Sequence, residues 1–348
     1  MRIERREEIS KIVLYSLPFL SILASLIFVG ILLWFVGVNP IEAYYIMLIR
    51  TFGSKLGLSE LFVKSTPLIL TGLAVAIPMR AGLWNIGAEG QLYMGAFIAS
   101  FVALNFASPF AIPFAIPIMF VLAAIFGAAW AFIPAILKAK FELNEIISTL
   151  LLNYVAIYWV EYLVYGPMRG KNVYNFPYSD LFPECATLPR FFDTRLHLGV
   201  IIAFLIVFIM YLTFRKTSFG FSVNVVGANP RAAEYAGIDR KKIIVYTMLI
   251  GGAIAGIAGM EEISGIHHRL RAAISPGYGY AGIPISLLAK GNILAIILSA
   301  MLFGFLYVGG SALQTTYSIP IAVVYIFQSL VVLFIIGGEF FVRYRVVR

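Results

Sequence analysis

The chain has 348 residues, of which 61% are hydrophobic and only 12% are charged. Soluble domains average roughly 45–50% apolar and about 25% charged residues, so the composition excludes a soluble protein and indicates a polytopic membrane protein. The formal net charge is +9, but the basic residues fall in short clusters between apolar runs, as the positive-inside rule expects. This distribution argues against a nucleic-acid-binding protein.

The first apolar run, Ile12–Val36, follows a short basic segment, Met1–Lys11. A cleaved signal peptide has an apolar region of roughly 7–15 residues and a cleavage site with small residues. This run is longer and ends with Trp34 and Phe35, and about 20 apolar residues suffice to cross a bilayer. We interpret it as the first membrane span, followed by an outer connection, Gly37–Glu60, that contains a surface helix.

The apolar runs along the chain predict ten spans in all. They lie at Ile12–Val36, Leu61–Met79, Ala81–Phe106, Pro109–Leu137, Asn144–Tyr165, Arg195–Phe214, Ile243–Met260, Pro276–Ala289, Ile293–Gly310 and Ile319–Ile336. Ten spans place both termini on one side of the membrane, and 17 of the 26 Lys and Arg residues fall on that side. The other nine are Arg50, Lys55, Lys64, Arg169, Lys171, Arg190, Arg195, Arg269 and Arg271. This excess predicts cytoplasmic termini, with cytoplasmic segments at residues 1–11 and 337–348.

The stretch Ala81–Ala96, AGLWNIGAEGQLYMGA, mixes polar residues and glycines within an apolar region. Polar side chains and broken helices at membrane depth are tolerated where they face protein or a water-filled cavity. The pattern therefore predicts a translocation site at a helix break. Its candidate pathway residues are Trp84, Asn85, Glu89 and Gln91. The alternatives are a structural carboxylate at Glu89, bonded to backbone donors, and helix–helix hydrogen bonding by the two amides.

A second glycine-rich interruption lies in the other half of the chain, at Gly277–Asn292, and contains Pro284. Its counterpart is Leu70–Ala96, and we expect Pro67 and Pro78 to break the second span. Corresponding interruptions in two halves of a chain are typical of transporters built from repeats, although these two regions have little residue-level similarity.

The fifth span, Asn144–Tyr165, carries a polar stripe. At 100° per residue, Glu145, Thr149 and Asn153 share one helix face, which must contact protein or water. Asn153 and Tyr154 lie near the middle of the span. We therefore add these two residues to the candidates for the substrate pathway.

A polar segment at residues 215–242 separates two spans. Asn229 can cap a helix and Pro230 suits a first helical turn, which predicts a short helix, Pro230–Ala236, that ends at Gly237. A helix of about seven residues is marginal alone in water. We therefore expect it to pack against another surface.

The seventh span, Ile243–Met260, follows Asp239, a residue suited to cap it. Gly252 and Gly256 have the small-xxx-small spacing that lets helices approach closely. We expect this span to pack tightly against a neighbouring helix, with Glu261–Ser275 following as an outer loop.

The sequence offers little support for metal or nucleotide chemistry. Cys185 is the single cysteine, and His197, His267 and His268 have no metal-site spacing with nearby carboxylates. No GxxxxGK[ST] phosphate loop occurs, so the chain does not bind ATP by that route. We expect no catalytic residue, no metal site and no cofactor.

Three segments, GLWNIGAEGQLYMGA, NEIISTLLLNY and GANPRAAEYAGI, together resemble the membrane-spanning permeases of ABC importers for nucleosides and simple sugars, of the branched-chain amino acid and ribose type. The resemblance extends from about Leu61 to Ile336. It implies an all-α polytopic membrane protein with about ten transmembrane helices, some broken or short, in a single permease domain over residues 1–348. NEIISTLLLNY looks closer to the nucleoside branch, and Trp84 stands where the common FNIG form of the first motif has Phe.

The resemblance also implies a function and partners. The chain would be a multi-pass protein of the cell membrane that moves a nucleoside or related sugar by alternating access, while a separate ATPase subunit hydrolyses ATP. The short cytoplasmic helix would couple the two, through Asn229, Pro230, Arg231, Ala233, Glu234 and Gly237. Further implied partners are a second permease, identical or paralogous, an external substrate-binding protein and membrane lipids, but no nucleic acid.

Two other classes of function are weighed against this one. An ion-coupled secondary transporter would use intramembrane carboxylates such as Glu89 or Glu145 and would not need a docked cytoplasmic helix. A membrane-embedded enzyme should have His, Asp or Ser constellations that converge at the bilayer surface, and the sequence has none.

Overall fold

A computed structural model describes residues 2–5, 11–106, 112–171, 173–174 and 176–347. Over these residues the chain is largely helical. The helices are α1 (Lys11–Phe35), α2 (Pro40–Phe52), α3 (Lys55–Arg80), α4 (Ala88–Asn105), α5 (Ile112–Phe141), α6 (Glu145–Tyr165), α7 (Gly199–Lys216), α8 (Ser218–Ala228), α9 (Pro230–Tyr235), α10 (Arg240–Glu261), α11 (Tyr278–Leu288), α12 (Ala295–Tyr317) and α13 (Ile321–Arg343). Two short strands, β1 (Arg2–Arg5) and β2 (Tyr344–Val347), pair antiparallel.

Six helical segments of the described chain are long and apolar enough to cross a membrane. They are Lys55–Arg80, Phe114–Phe141, Glu145–Tyr165, Gly199–Lys216, Arg240–His267 and Ala295–Tyr317. A seventh span results if Phe19–Phe35 and Pro40–Phe52, which meet at 113°, are counted as one broken span. The count of ten spans stays a prediction. Helix α11 has only 11 residues, whereas a full crossing takes roughly 20.

The larger of two compact units comprises Ser65–Met301, and helices α4, α5 and α10 pack together in it. A Cβ added at Gly256 on α10 would overlap the backbone of Ala123 on α5, and a Cβ added at Gly95 on α4 would overlap the backbone of Gly256. Gly252 meets the backbone of α5 in the same way. The close contact predicted from the spacing of Gly252 and Gly256 is confirmed.

The smaller unit comprises Met1–Lys64 and Leu302–Arg348. Within it, α1 packs along α13, and the two terminal strands pair at the ends of the chain. The hydroxyl of Tyr44 on α2 donates a hydrogen bond to the carbonyl of Leu26 on α1. This bond ties α2 back against the helix that precedes it.

The proline positions correct part of the predicted organisation. Helix α3 begins at Lys55, within the predicted connection Gly37–Glu60, and stays helical through Pro67 and Pro78. Helix α11 likewise runs through Pro284. The prediction that these prolines break the spans is wrong. Surrounded by protein or lipid, a helix keeps its remaining backbone bonds, because no water is present to replace them and neighbouring groups tolerate the lost one.

The C-terminal end of α10 also differs from the prediction. The helix continues past Met260 to Glu261, and a π-helix, Glu262–His267, extends it into the segment expected to be a loop. Glu262 is buried and pairs with His267, with 3.2 Å between Oε1 and Nε2. A prediction from hydropathy places the end of the span at the first carboxylate. In the structure, the pairing of Glu262 with His267 accommodates the polar residues, and the helix continues.

The predicted cytoplasmic segments contain regular structure beyond the short helix. Helix α8 occupies the first half of the polar segment at residues 215–242. Helix α13 continues to Arg343, and β2 follows it, so most of residues 337–348 are structured. In both places helix or strand structure is found beyond the residue at which the apolar run ends.

Other boundaries agree closely with the sequence. Helix α6 begins after Asn144, whose side chain accepts a hydrogen bond from the Ile146 N–H at 2.9 Å. Asp239 caps α10 by accepting from the Lys242 N–H at 3.1 Å. The cap at Asp239 confirms its prediction. Pro109, the predicted start of the fourth span, lies outside the described residues.

His197, in the loop before α7, is buried in a narrow gap between Gly199 and Gly265. A Cβ added at either glycine would lie 2.7 Å from the nearest atoms of the imidazole ring. The ring Nδ1 accepts a hydrogen bond from the Gly199 N–H at 3.1 Å, which requires that nitrogen to be unprotonated. Burial lowers the pKa of His197 to about 4, against the opposing charge of Glu262.

A pH dependence follows from this site. Because the folded-state pKa of His197 lies below its ordinary value of 6.5, the stability it contributes is present above that value and is lost as pH falls toward 4. We expect protonation of His197 to lower the free energy of unfolding by about 2 kcal/mol between pH 7 and pH 5. His197→Gln keeps an acceptor but does not titrate, so its thermal midpoint should fall less over this interval. Equal pH dependence in both proteins would contradict the assignment.

The glycine contact of α10 gives a second prediction. Gly256→Ala should lower the free energy of unfolding by about 1–3 kcal/mol, because its Cβ would overlap the backbone of α5 at Ala123. Gly337→Ala is the matched control, since a Cβ on this helical glycine has no heavy atom within 4 Å. The control should be neutral or slightly stabilising, because Ala has the higher helix propensity. Thermal unfolding in detergent measures both, and equal midpoints would refute the close contact.

Candidate functional site

The predicted helix break lies at residues 81–87, between α3 and α4. Helix α3 ends at Arg80, Gly82 takes a left-handed conformation with φ of +78°, and α4 begins at Ala88. Gly82 is suited to this turn because it has no Cβ to clash with the following carbonyl. The sequence prediction of a break within Ala81–Ala96 is confirmed.

Two buried side-chain amides join the break to the first turn of α4. Asn85 Nδ2 donates to Gln91 Oε1 at 3.0 Å, and Gln91 Nε2 donates to Asn85 Oδ1 at 2.9 Å. Asn85 Nδ2 also donates to the carbonyl of Ala74 on α3, at 3.1 Å. The pair therefore fixes the non-helical segment to both flanking helices.

Asn153 on α6 satisfies two backbone groups of the same break. Its Oδ1 accepts from the Gly90 N–H and its Nδ2 donates to the carbonyl of Ile86, each at 2.8 Å. Its Nδ2 also lies 3.3 Å from the hydroxyl of Tyr280 on α11. One buried amide thus ties the break to α6 and reaches α11.

Glu89 connects the break to the second glycine-rich region. Its Oε2 accepts a hydrogen bond of 2.6 Å from the Gly279 N–H, in the first turn of α11. The Cα of Gly279 lies so close to the Glu89 backbone that a Cβ would overlap it. The two regions singled out in the sequence therefore contact each other, with backbone against backbone.

Trp84 and Tyr154 lie apart from these bonds. Trp84 is 37% exposed, and its N–H lies 3.4 Å from Glu145 Oε1, while Glu145 pairs with Lys138 at 3.0 Å. Tyr154 is 51% exposed on α6. The structure thus brings together Asn85, Glu89, Gln91 and Asn153, all buried, and leaves the two aromatic candidates outside the cluster.

The side chains of all four buried residues bond to protein groups in this conformation. A solute could reach Glu89 or Asn153 only if α4 separated from α11 or α6. Their assignment to the pathway stays a prediction. No group of three metal-binding side chains occurs in the part of the chain that the structure describes.

Sequence reasoning missed two members of this region. Tyr280 reaches Asn153, and Gly279 donates to Glu89, both from the segment GYGYAG. The glycine-rich composition marked this segment as a break, but pattern alone does not identify its contacts with residues 127 and 190 positions earlier. Glu261 is also buried, and neither carboxylate oxygen has a hydrogen bond within the described residues.

The short helix α9 lies where the sequence predicts it. Asn229 Oδ1 accepts from the N–H groups of Arg231 at 3.0 Å and Ala232 at 3.2 Å, and Gly237 ends the helix with φ of +74°. Ala233 is buried, whereas the other members of the predicted coupling set are exposed. Those exposed members are Asn229, Pro230, Arg231, Glu234 and Gly237. The helix therefore packs against the rest of the chain through Ala233 and exposes its polar residues to solvent.

A substitution tests the structural part of this site. Asn153→Ala would leave the Gly90 N–H and the Ile86 carbonyl buried without partners, at a cost of about 1–3 kcal/mol for each group. Tyr154→Phe is the neighbouring control, because it removes a hydroxyl from an exposed side chain and should change stability by less than about 0.5 kcal/mol. Thermal unfolding in detergent gives both values. An unchanged midpoint for Asn153→Ala would contradict this role.

Comparison with known proteins identifies the family. The chain is 42% identical to the glucose ABC transporter permease protein TsgB13 of Haloferax volcanii, covering 99% of this chain and 93% of that protein. It is 33% identical to the guanosine ABC transporter permease protein NupP of Bacillus subtilis, over 91% and 92% of the two chains. It is 31% identical to the nucleoside ABC transporter permease protein NupB of Lactococcus lactis, over 91% and 89%.

The same two bacteria each contribute a further match, the guanosine permease NupQ and the nucleoside permease NupC. No solved structure matches the chain. Residues 57–336 match the family described as the permease component of the branched-chain amino acid transport system. The chain therefore belongs to this family of ABC transporter permeases, and is a multi-pass protein of the cell membrane.

Proposed function

We propose that this ABC permease imports a nucleoside or a simple sugar and is driven by a separate ATPase that docks on α9. The observation that carries the proposal is an exposed, capped helix of six residues on a chain without a phosphate loop of its own. A helix this short is marginal alone in water, yet here it is capped and packed through Ala233. Its exposed surface is therefore already formed before a partner binds. The proposal includes the ten predicted spans and cytoplasmic termini.

The surface of α9 supports docking through a few side chains. Ala233 anchors the helix, while Tyr235 is 94% exposed and Arg231 and Glu234 also point into solvent. An exposed tyrosine combines a large apolar ring with a polar tip, and tyrosines are enriched where protein interfaces carry most of their binding energy. Arg231 and Glu234 would add charge complementarity and orientation.

The buried polar cluster supports a gate in the translocation pathway. Glu89 and Asn153 join α4 to α11 and α6 through hydrogen bonds that water or a hydroxyl-rich solute could replace. Alternating access requires each state to have different contacts with the partners or the substrate. We assign Asn85 and Gln91 to the stability of the moving segment, and Trp84 and Tyr154 to faces that become pathway-lining when it moves.

The relatives support the substrate class and a second permease. Their names include glucose, guanosine and nucleosides, all of which carry several hydroxyl groups. Two bacteria each contribute two matching permeases, which favours a paralogous partner over a second identical copy. We propose that an external binding protein delivers the solute and makes most of the choice between sugar and nucleoside.

Variants of α9 test the docking proposal. Tyr235→Ala and Glu234→Arg should reduce recovery of the ATPase in mild-detergent purification by about tenfold or more, because hot-spot truncations typically cost 2 kcal/mol or more. Gly237→Pro should act similarly, since proline does not adopt φ of +74°. Tyr174→Ala is the matched control, because Tyr174 is also 94% exposed but lies in a different loop.

The control should retain the ATPase, all variants should reach the membrane, and the variants other than Gly237→Pro should keep the thermal midpoint of the wild type. Uptake of labelled glucose or guanosine should fall with ATPase recovery and should be insensitive to a protonophore while ATP is maintained. Retention of the ATPase by all three α9 variants would refute docking at this helix. Uptake that survives ATP depletion and collapses with the protonophore would refute the ABC mechanism.

A further inference from the structure

A pocket of about 430 Å³ lies in the larger unit, beside the start of the helix break, where the ends of three elements meet. These elements are the end of α3, the last turns of α7 and the turn between α11 and α12. The residues that matter here are Arg80, Tyr211, Phe214, Arg215, Lys290 and Asn292. Of the described residues that line the pocket, three are cationic and none is acidic.

Arg80 forms the inner wall of the pocket. Its Nη2 donates to the carbonyl of Gly291, and its guanidinium carbon lies 4.8 Å from the centroid of the Phe214 ring. Its Nε is buried and makes no hydrogen bond within the described part of the chain. The side chain is thus held in a fixed orientation, and a planar guanidinium fixed in this way is suited to bonding phosphate oxygens through its remaining N–H groups.

Arg215 and Lys290 supply the outer charges. The side chain of Arg215 donates to the Tyr211 hydroxyl, and its guanidinium carbon lies 5.6 Å from that ring. Lys290 occupies a turn with φ of +49°, next to Gly291. Both are exposed and line the same cavity as Arg80, so the three charges together make the potential of the cavity positive.

The position of the pocket indicates the kind of anion. Arg80 and Arg215 lie at the ends of two helical segments that are apolar and long enough to cross a membrane, and Lys290 precedes a third. The lining combines these charges with the apolar surface of Phe214 and Ile293. A basic pocket between helices at the membrane boundary matches a lipid headgroup, whose phosphate needs cations and whose glycerol end needs apolar surface.

We propose that this pocket binds the phosphate of an anionic ligand at the membrane boundary, supplied by a phospholipid headgroup such as phosphatidylglycerol or by a soluble phosphate. Arg80 positions the phosphate, and Arg215 and Lys290 neutralise it. The site is independent of α9 and of the polar cluster at the helix break, so it does not rest on the proposed function.

The test uses the purified full chain, alone and as any complex that co-purifies with it. Native mass spectrometry measures binding of phosphatidylglycerol against phosphatidylcholine, and thermal unfolding measures protection by the same lipids and by inorganic phosphate. The pocket variant is Arg215→Gln with Lys290→Gln, which leaves Arg80 and its packing intact. The matched control is Lys216→Gln with Lys241→Gln, which removes the same charge from exposed residues that do not line the pocket.

We expect wild type and control to bind phosphatidylglycerol more tightly than phosphatidylcholine, and the pocket variant to lose about tenfold in affinity for phosphatidylglycerol. If the preference resists 10 mM phosphate, the ligand is the lipid headgroup. If phosphate alone protects the wild type, but not the pocket variant, and no lipid preference exists, the ligand is soluble. The proposal is overturned if the control loses as much affinity as the pocket variant, or if neither ligand distinguishes wild type from the pocket variant.

Discussion

The structure of the larger unit depends on how a helix break at membrane depth satisfies its backbone. Residues 81–87 leave the helical ladder, and each backbone group buried there without a partner would cost about 1–3 kcal/mol. Asn153 donates to the Ile86 carbonyl, Glu145 lies within reach of the Trp84 N–H, and Asn85 donates to the Ala74 carbonyl of the preceding helix. The polar residues that look out of place in an apolar sequence are therefore what makes the irregular backbone possible.

Glycines provide the second requirement, because the partners must be close. Gly95, Gly256 and Gly279 bring α4 within backbone contact of α10 and α11, where a methyl group would already overlap. At this separation a short carboxylate or amide reaches the neighbouring backbone directly, as Glu89 does with Gly279. Close packing and polar bonding thus depend on each other, because the small residues bring the helices close enough for the polar side chains to bond across them.

Local signals predicted much of this organisation. The cap at Asp239, the short helix after Asn229 and the break near Gly82 each follow from the conformational preferences of one or two residues, and the structure has all three. The prolines did not predict where the helices end, because α3 stays helical through Pro67 and Pro78. The pairing of Glu262 with His267 and the contact of Glu89 with Gly279 depend on tertiary packing, which no local pattern contains.

The hydrogen bonds at the break divide into two sets with different consequences. The bonds of Asn85 with Gln91 and Ala74 lie between the break and its flanking helices, whereas three others cross to separate elements, from Asn153 to Gly90 and Ile86, and from Glu89 to Gly279. Exchanging each crossing bond for one with water costs about 0.5–1.5 kcal/mol, a few kcal/mol in all. A free-energy difference of that size between two conformations is small enough for a bound ligand or partner to reverse, which is the condition that the proposed gate must meet.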